Sequence, residues 1–210
     1  MKARSLNDWE LVYHEWSPAE QPTREALLTL GNGYFATRGA VEESLAGGPH
    51  YPGTYLAGGF NRAESEIGGK IIENEDLVNW PNWLPLTFRC EEGEWFDLAH
   101  VELLDYTHWL DLYRGVVHRR IQFRDRSDRE FELETRRIVH MGDPHIAAIS
   151  WVLTPLNWSG SVEVRSAIDG GVTNSGVARY RDLNGTHLEV EETGHVGGGA
   201  IFLTARTLQP

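Results

Sequence analysis

The chain has 210 residues, 40% of them hydrophobic, enough to bury a sizeable core as a single domain spanning 1–210. Thirty-one acids against 19 bases give a net charge of −12, which argues against nucleic acid as a partner, since a phosphate backbone demands a basic face. Cys90 is the only cysteine, so no internal disulfide can form; no run of 18 apolar residues or apolar leader occurs, so no membrane association is expected and the default location is cytoplasmic.

Helix signals come first and are few. Ser17-Pro18-Ala19-Glu20 reads as a capping box with proline at the first helical position, and Pro22 is expected to end that turn. Thr23 then caps a short helix over 24–30, stopped by Gly31. The stretch LTLGNGYFATRG (28–39) has the look of a phosphate loop but not its spacing. Its third glycine falls six residues after the second and no helix follows, so neither a dinucleotide fingerprint nor a Walker loop is present. Gly31 and Gly33 permit positive φ or close backbone approach, Asn32 can tie the loop to itself, and Tyr34-Phe35 should open a strand. Arg38 offers a rigid fork to a carboxylate or sugar hydroxyl; an ion pair inside a sheet edge is the favoured alternative.

The first ninety residues are rich in Gly, Pro, Asn and Trp and only weakly periodic, which fits strands joined by long ordered loops. Within them LVNWPNWLPL (77–86) is stiffened by Pro81 and Pro85, and Asn79 and Asn82 can bond nearby backbone. The indoles of Trp80 and Trp83 can stack on a pyranose or fill a gap against a partner domain, and packing is the favoured reading. Tyr55 and Asn61 carry the same ambiguity.

Strand signals dominate from residue 94. Val117, Arg119, Ile121 and Phe123 alternate with His118, Arg120, Gln122 and Arg124; Phe131, Leu133 and Thr135 alternate with glutamates, and 125–128 reads as the hairpin loop between them. Residues 146–153 are apolar at nearly every position, the pattern of a strand buried on both faces. Val162, Val164 and Ile168 point one way. Asn184-Gly185 before Leu188 and Val190 is a strong hairpin signal, and Ile201, Leu203 and Ala205 form the last run. Short strands at near-regular spacing imply a sandwich or barrel. No metal-ligand spacing links the nine histidines, His118, His140 and His145 included. Asp111 and Asp169 are expected to pair with Arg114 or Arg179. No catalytic residue, metal ligand or cofactor motif is assigned.

LTLGNGYFATRG, YPGTYLAGGFNR (51–62), LVNWPNWLPLTF (77–88), LDLYRGVVHR (110–119), RRIVHMGDPHIAAI (136–149) and IDGGVTNSGVARY (168–180), in this order, resemble the N-terminal domain of glycoside hydrolase family 65, the family of maltose, trehalose and kojibiose phosphorylases. The resemblance implies an all-β fold: a large antiparallel super-sandwich, galactose mutarotase-like, with one or two short helices. It implies a partner in the same polypeptide, an (α/α)6 barrel that carries the catalytic glutamate and phosphate site, outside these residues. This chain would then be non-catalytic, bracing the barrel and shaping the active-site rim, with Arg38, Tyr55, Asn79, Trp80, Asn82 and Trp83 as rim or interface candidates. The intact enzyme would act on an α-glucoside disaccharide, with water or phosphate as acceptor, and could form a homodimer. The family domain usually runs beyond this length, and it carries an aliphatic residue where Trp80 stands. A severed domain should also expose an apolar face. Two other readings stay open: a carbohydrate-binding module using Trp80, Trp83 or Trp158 as a platform, and a mutarotase-like enzyme with a His–Glu acid–base pair in the sandwich groove.

Overall fold

The computed structural model describes residues 9–175 and 182–209. The chain is an antiparallel all-β sandwich with one short α-helix. Its largest sheet has five strands, in the order β1 (Glu10–Tyr13), β8 (Glu102–Asp111), β9 (Val116–Arg124), β10 (Glu130–Val139) and β11 (Ala147–Pro155). Smaller sheets surround it: β2 (Leu30–Gly31) with β3 (Phe35–Thr37) and β4 (Thr54–Leu56); the hairpin β5 (Phe60–Ile67) with β6 (Lys70–Leu77); β7 (Leu86–Cys90) with β12 (Val162–Ser166); and β13 (Leu188–Val196) with β14 (Ala200–Thr207).

The helix differs from expectation. Ser17 makes no side-chain cap bond, Pro18–Glu20 is a 3-10 turn, and the α-helix α1 runs Gln21–Leu27. Pro22 therefore sits inside the first turn, where its missing N–H is no loss, instead of ending a helix. Leu30, expected to close the helix, opens β2 and is buried.

The inner face of the five-stranded sheet is divided into three bands. At one end Tyr106, Ile121, Phe123, Phe131 and Leu133 pack with Phe88 and Cys90 of β7. At the other end Leu110, Val117 and Val139 pack with Tyr13, Leu28 of the helix region and Leu30. Between them the inward positions are polar: His108, Arg119 and Thr135 stand opposite one another across β8, β9 and β10, with Arg137 next along β10. The segment 40–44 lies over this band. Arg119 makes a two-pronged bond to Glu43, at 2.6 and 2.5 Å, and lies 3.3 Å from Glu42. Arg137 lies 3.6 Å from Glu42 and donates to the Ala40 and Arg38 carbonyls at 2.7 and 3.3 Å. The alternation Val117–Arg119–Ile121–Phe123 holds in full, Arg119 being as buried as its apolar neighbours.

Burial and the Arg119, Arg137 and Arg24 guanidiniums together push His108, against Tyr106, well below the ordinary imidazole range. The unfolded chain thus takes up this proton first as pH falls. The stability His108 contributes is intact above about pH 6.5 and declines below it, by at most about 1.4 kcal/mol per pH unit. Urea midpoints measured from pH 7 to 5 should fall less steeply in His108→Gln than in the parent chain.

Two strand readings change. β11 is an edge strand, not a strand covered on both faces: Trp151 and Leu153 face the core and are half-buried, while Val152 is 51% exposed. Val162 and Val164 of β12 are likewise exposed, so apolar surface does lie open at this side of the sandwich. Asn184-Gly185 joins no pair of described strands. The Asn184 N–H donates to Ser65 Oγ at 2.7 Å, Gly185 accepts from the Asn174 N–H at 2.9 Å, and β13 pairs instead with β14 across Gly198 and Gly199. The hairpin β5–β6 turns on Gly68 and Gly69, both at positive φ; its buried residues, Asn61, Ala63 and Ser65, are small or polar and give no apolar period.

Candidate functional site

The loop of 31–34 is held from within and from across the fold. Asn32 Oδ1 accepts the Tyr34 and Phe35 N–H groups at 3.0 and 2.8 Å, while its Nδ2 donates to the His140 and Pro144 carbonyls at 2.8 and 3.2 Å. Gly33 takes φ +88°, which an L side chain resists. The loop is thereby pinned to the β10–β11 turn, where Tyr34 meets His145 edge-on. His140 is occupied as well, its Nδ1 accepting from the Gly142 and Asp143 N–H groups.

Arg38 makes no ion pair among the described residues. Its Nε donates to the Tyr51 carbonyl and its Nη2 to the Pro22 carbonyl, each at 2.9 Å, and its guanidinium lies over the Tyr51 ring. The ion pair expected here is replaced by a clamp on the backbone carbonyls of Pro22 and Tyr51. Tyr55 lies beside it. Burial and a hydrogen bond to Tyr51 raise the Tyr55 phenol above its ordinary range. Gly53 makes room for both: a Cβ there would come within 2.6 Å of Arg38 Cδ and 2.8 Å of the Tyr55 hydroxyl.

Asn79 is 2% exposed and works as a junction. Its Oδ1 accepts from the Thr54 N–H at 2.9 Å, its Nδ2 donates to the Thr173 carbonyl at 3.2 Å, and its own N–H donates to Asn174 Oδ1 at 2.8 Å. Trp80 follows along the same edge of β4, its backbone N–H donating to the Thr54 carbonyl at 2.8 Å, with its indole against Gly59. Asn82 exchanges both backbone bonds with Asp169, at 2.8 Å each, and its Oδ1 caps the Leu84 N–H. Trp83 packs against Phe35 with ring centroids 6.1 Å apart. The six candidates therefore lie just after β3 (Arg38), on β4 (Tyr55) and in the 78–84 segment. Trp158 does not join them: it packs on Phe131 beside the first core band, with Arg129 over its ring.

Asp111 pairs with Arg114 at 2.7 Å as expected; Arg179 lies outside the described residues. Sequence reasoning missed Tyr51, Asn174 and the pair formed by His50 Nδ1 and Glu25 Oε1 at 2.7 Å, all of which depend on loop contacts more than twenty residues apart. No group of three His, Cys, Asp or Glu residues fit to hold a metal occurs among the described residues. Among the described residues no helix is long and apolar enough to cross a membrane.

The profile described as "Glycosyl hydrolase family 65, N-terminal domain" matches residues 11–210. The chain belongs to this family. An uncharacterized glycosyl hydrolase of Mycobacterium tuberculosis is 42% identical over 201 residues, covering 96% of this chain and 15% of that protein. The kojibiose phosphorylase of Caldanaerobacter subterraneus subsp. tengcongensis is 33% identical over 199 residues, covering 95% of this chain and 24% of its own length. The solved structure of a candidate kojibiose phosphorylase from human microbiome superposes with a TM-score of 0.83 at 20% identity, over 97% of this chain and 26% of that one. The chain thus spans only 15–26% of the length of these three proteins. Its loop 31–34, clamp at Arg38 and junction at Asn79 form one continuous, cross-braced region of the family fold.

Proposed function

We propose that this chain, as one domain over 1–210, is the non-catalytic N-terminal domain of a family 65 α-glucoside phosphorylase or hydrolase. In that role it braces an (α/α)6 catalytic barrel of the same polypeptide and shapes its active-site rim, with Arg38, Tyr55, Trp80 and Trp83 on the surface that meets the barrel and the buried Asn79 and Asn82 holding the loops beneath them. The observation that carries this reading is the asymmetry of coverage: 95% of this chain against 24% of the C. subterraneus kojibiose phosphorylase. The braced geometry supports it, since a rim must hold its shape while a disaccharide and phosphate enter and leave. Cleavage in such an enzyme would come from barrel residues, not from any residue here. The isolated chain, incubated with kojibiose, trehalose or maltose and inorganic phosphate, is expected to release no glucose 1-phosphate and no glucose. Appearance of either product with the purified chain would falsify the non-catalytic assignment.

A further inference from the structure

Strand β11, AAISWVLTP, closes one side of the five-stranded sheet. Every other described strand of five or more residues carries at least one Asp, Glu, Lys or Arg; β11 carries none. Edge strands are where proteins place charge, bulges or short length to keep a second strand from pairing. The opposite edge of the same sheet, β1, has four residues and begins with Glu10. β11 has nine, pairs with β10 without a register shift, and meets a proline only at its last residue, Pro155.

The hydrogen-bond pattern fixes which main-chain groups lie open. The His140 N–H donates to the Ile146 carbonyl and the Leu156 N–H to the Glu130 carbonyl, so the even-numbered residues of β11 are those bonded to β10. The N–H and C=O groups of Ala147, Ile149, Trp151 and Leu153 therefore point away from β10, and none of them makes a hydrogen bond among the described residues. Beside this open row, Ala148, Ser150, Val152 and Thr154 are exposed on the outer face.

An antiparallel copy of β11, set about a two-fold axis at Ser150, satisfies all of these groups at once. Ala147 then stands opposite Leu153 and Ile149 opposite Trp151, in both directions, and each such pair exchanges two main-chain bonds. Ile149 with Trp151 is an aromatic–β-branched pair, a favourable cross-strand combination. No like charges meet along the strand, although two chains of net charge −12 repel one another elsewhere. A charged strand such as β6 or β13 would make the same backbone bonds but desolvate carboxylates beside Trp151 and Leu153. We propose that two copies of this chain dimerise by pairing β11 with β11, so that their five-stranded sheets become one continuous sheet across Ser150. The contact uses none of the residues of the Arg38–Trp83 surface, and it stands whether or not that surface meets a helical domain.

Sedimentation velocity of the 210-residue chain over a dilution series tests this. The mass should rise from 23.7 kDa to twice that value and no further, because the pairing consumes the open edge. Ser150→Lys sets two ammonium groups against each other on the axis and should weaken the dimer about tenfold. Ser150→Cys should form an intermolecular disulfide under mild oxidation, since directly opposed, non-hydrogen-bonded partners stand about 4.5 Å apart at Cα. Thr154→Cys should not, its two copies lying roughly 27 Å apart along the paired strands. The buried Cys90 of the parent chain should stay unlinked. Near-UV circular dichroism establishes folding of each variant, and the two cysteine variants decide the matter if Ser150→Lys does not fold. A monomer at every concentration, a dimer unweakened in folded Ser150→Lys, equal cross-linking of the two cysteine variants, or growth beyond the dimer would each overturn the assignment.

Discussion

Replacing Arg119 with methionine is expected to destabilise the chain by about 3–5 kcal/mol, the cost of leaving a buried ion pair with one partner. Glu43 and Glu42 would keep their positions under the 40–44 segment without the cation between them. Burial works against the charge on Arg119, but Glu43 and Glu42 outweigh it and hold its pKa above the ordinary value, so the guanidinium keeps its charge inside the core. For a chain of this size the loss should lower the melting temperature by on the order of 10 °C. Urea unfolding followed by circular dichroism measures it. The paired change Arg119→Met with Glu43→Gln should recover part of the loss, because it removes one stranded carboxylate along with the guanidinium. Arg206→Met, which breaks an exposed pair with Glu189 on β13–β14, should leave the urea midpoint nearly unchanged. A loss at Arg119 no larger than that control would mean that water reaches the inner band.

Phe131→Ala should cost about 3–5 kcal/mol, through lost transfer energy and the cavity left behind. Phe131 is 1% exposed and holds together groups from three parts of the chain: its ring centroid lies 5.0 Å from Phe123, 5.6 Å from Phe88 and 5.0 Å from Trp158. Those neighbours belong to β9, to β7 and to the loop after β11, so the site cannot close without moving two sheets toward each other. Phe131→Leu, which keeps most of the volume, should lose less. Thermal unfolding of both variants, with tryptophan fluorescence reporting Trp158, gives the comparison. Equal stability of Phe131→Ala and the parent chain would show that the two sheets are not packed through this ring.

Much of the sheet was legible because its residues alternate. On β9 and β10 the period of two separates core from solvent so cleanly that even Arg119 was placed on the inward row. The six motifs likewise carried the family. Other elements gave less. The β5–β6 hairpin buries Asn61, Ala63 and Ser65, so a search for apolar periodicity passes over it. Residues 146–153 read as doubly buried because apolar content reports preference for burial, not whether a partner lies on the other side. Pro22 was read as a breaker because the same ring that stops a helix interior is tolerated in a first turn, and only the start point distinguishes the two.

The candidate surface divides the same way. Composition and order singled out Arg38, Tyr55, Asn79, Trp80, Asn82 and Trp83, but not what each holds. Arg38 turned to carbonyls of 22 and 51, and Asn79 to 54, 173 and 174, contacts that exist only once distant loops have been brought together. By itself the sequence determined the class of fold, the inward rows of the central strands and the family, because alternation and motif order are properties of neighbouring residues. Tertiary structure alone decided that Glu42 and Glu43 meet Arg119 and Arg137 within the core, that Trp158 stands apart from Trp80 and Trp83, and that Arg165 stacks on Trp95. Charge pairing and stacking act through space over a few ångströms, and no local pattern along the chain encodes which distant segments come that close.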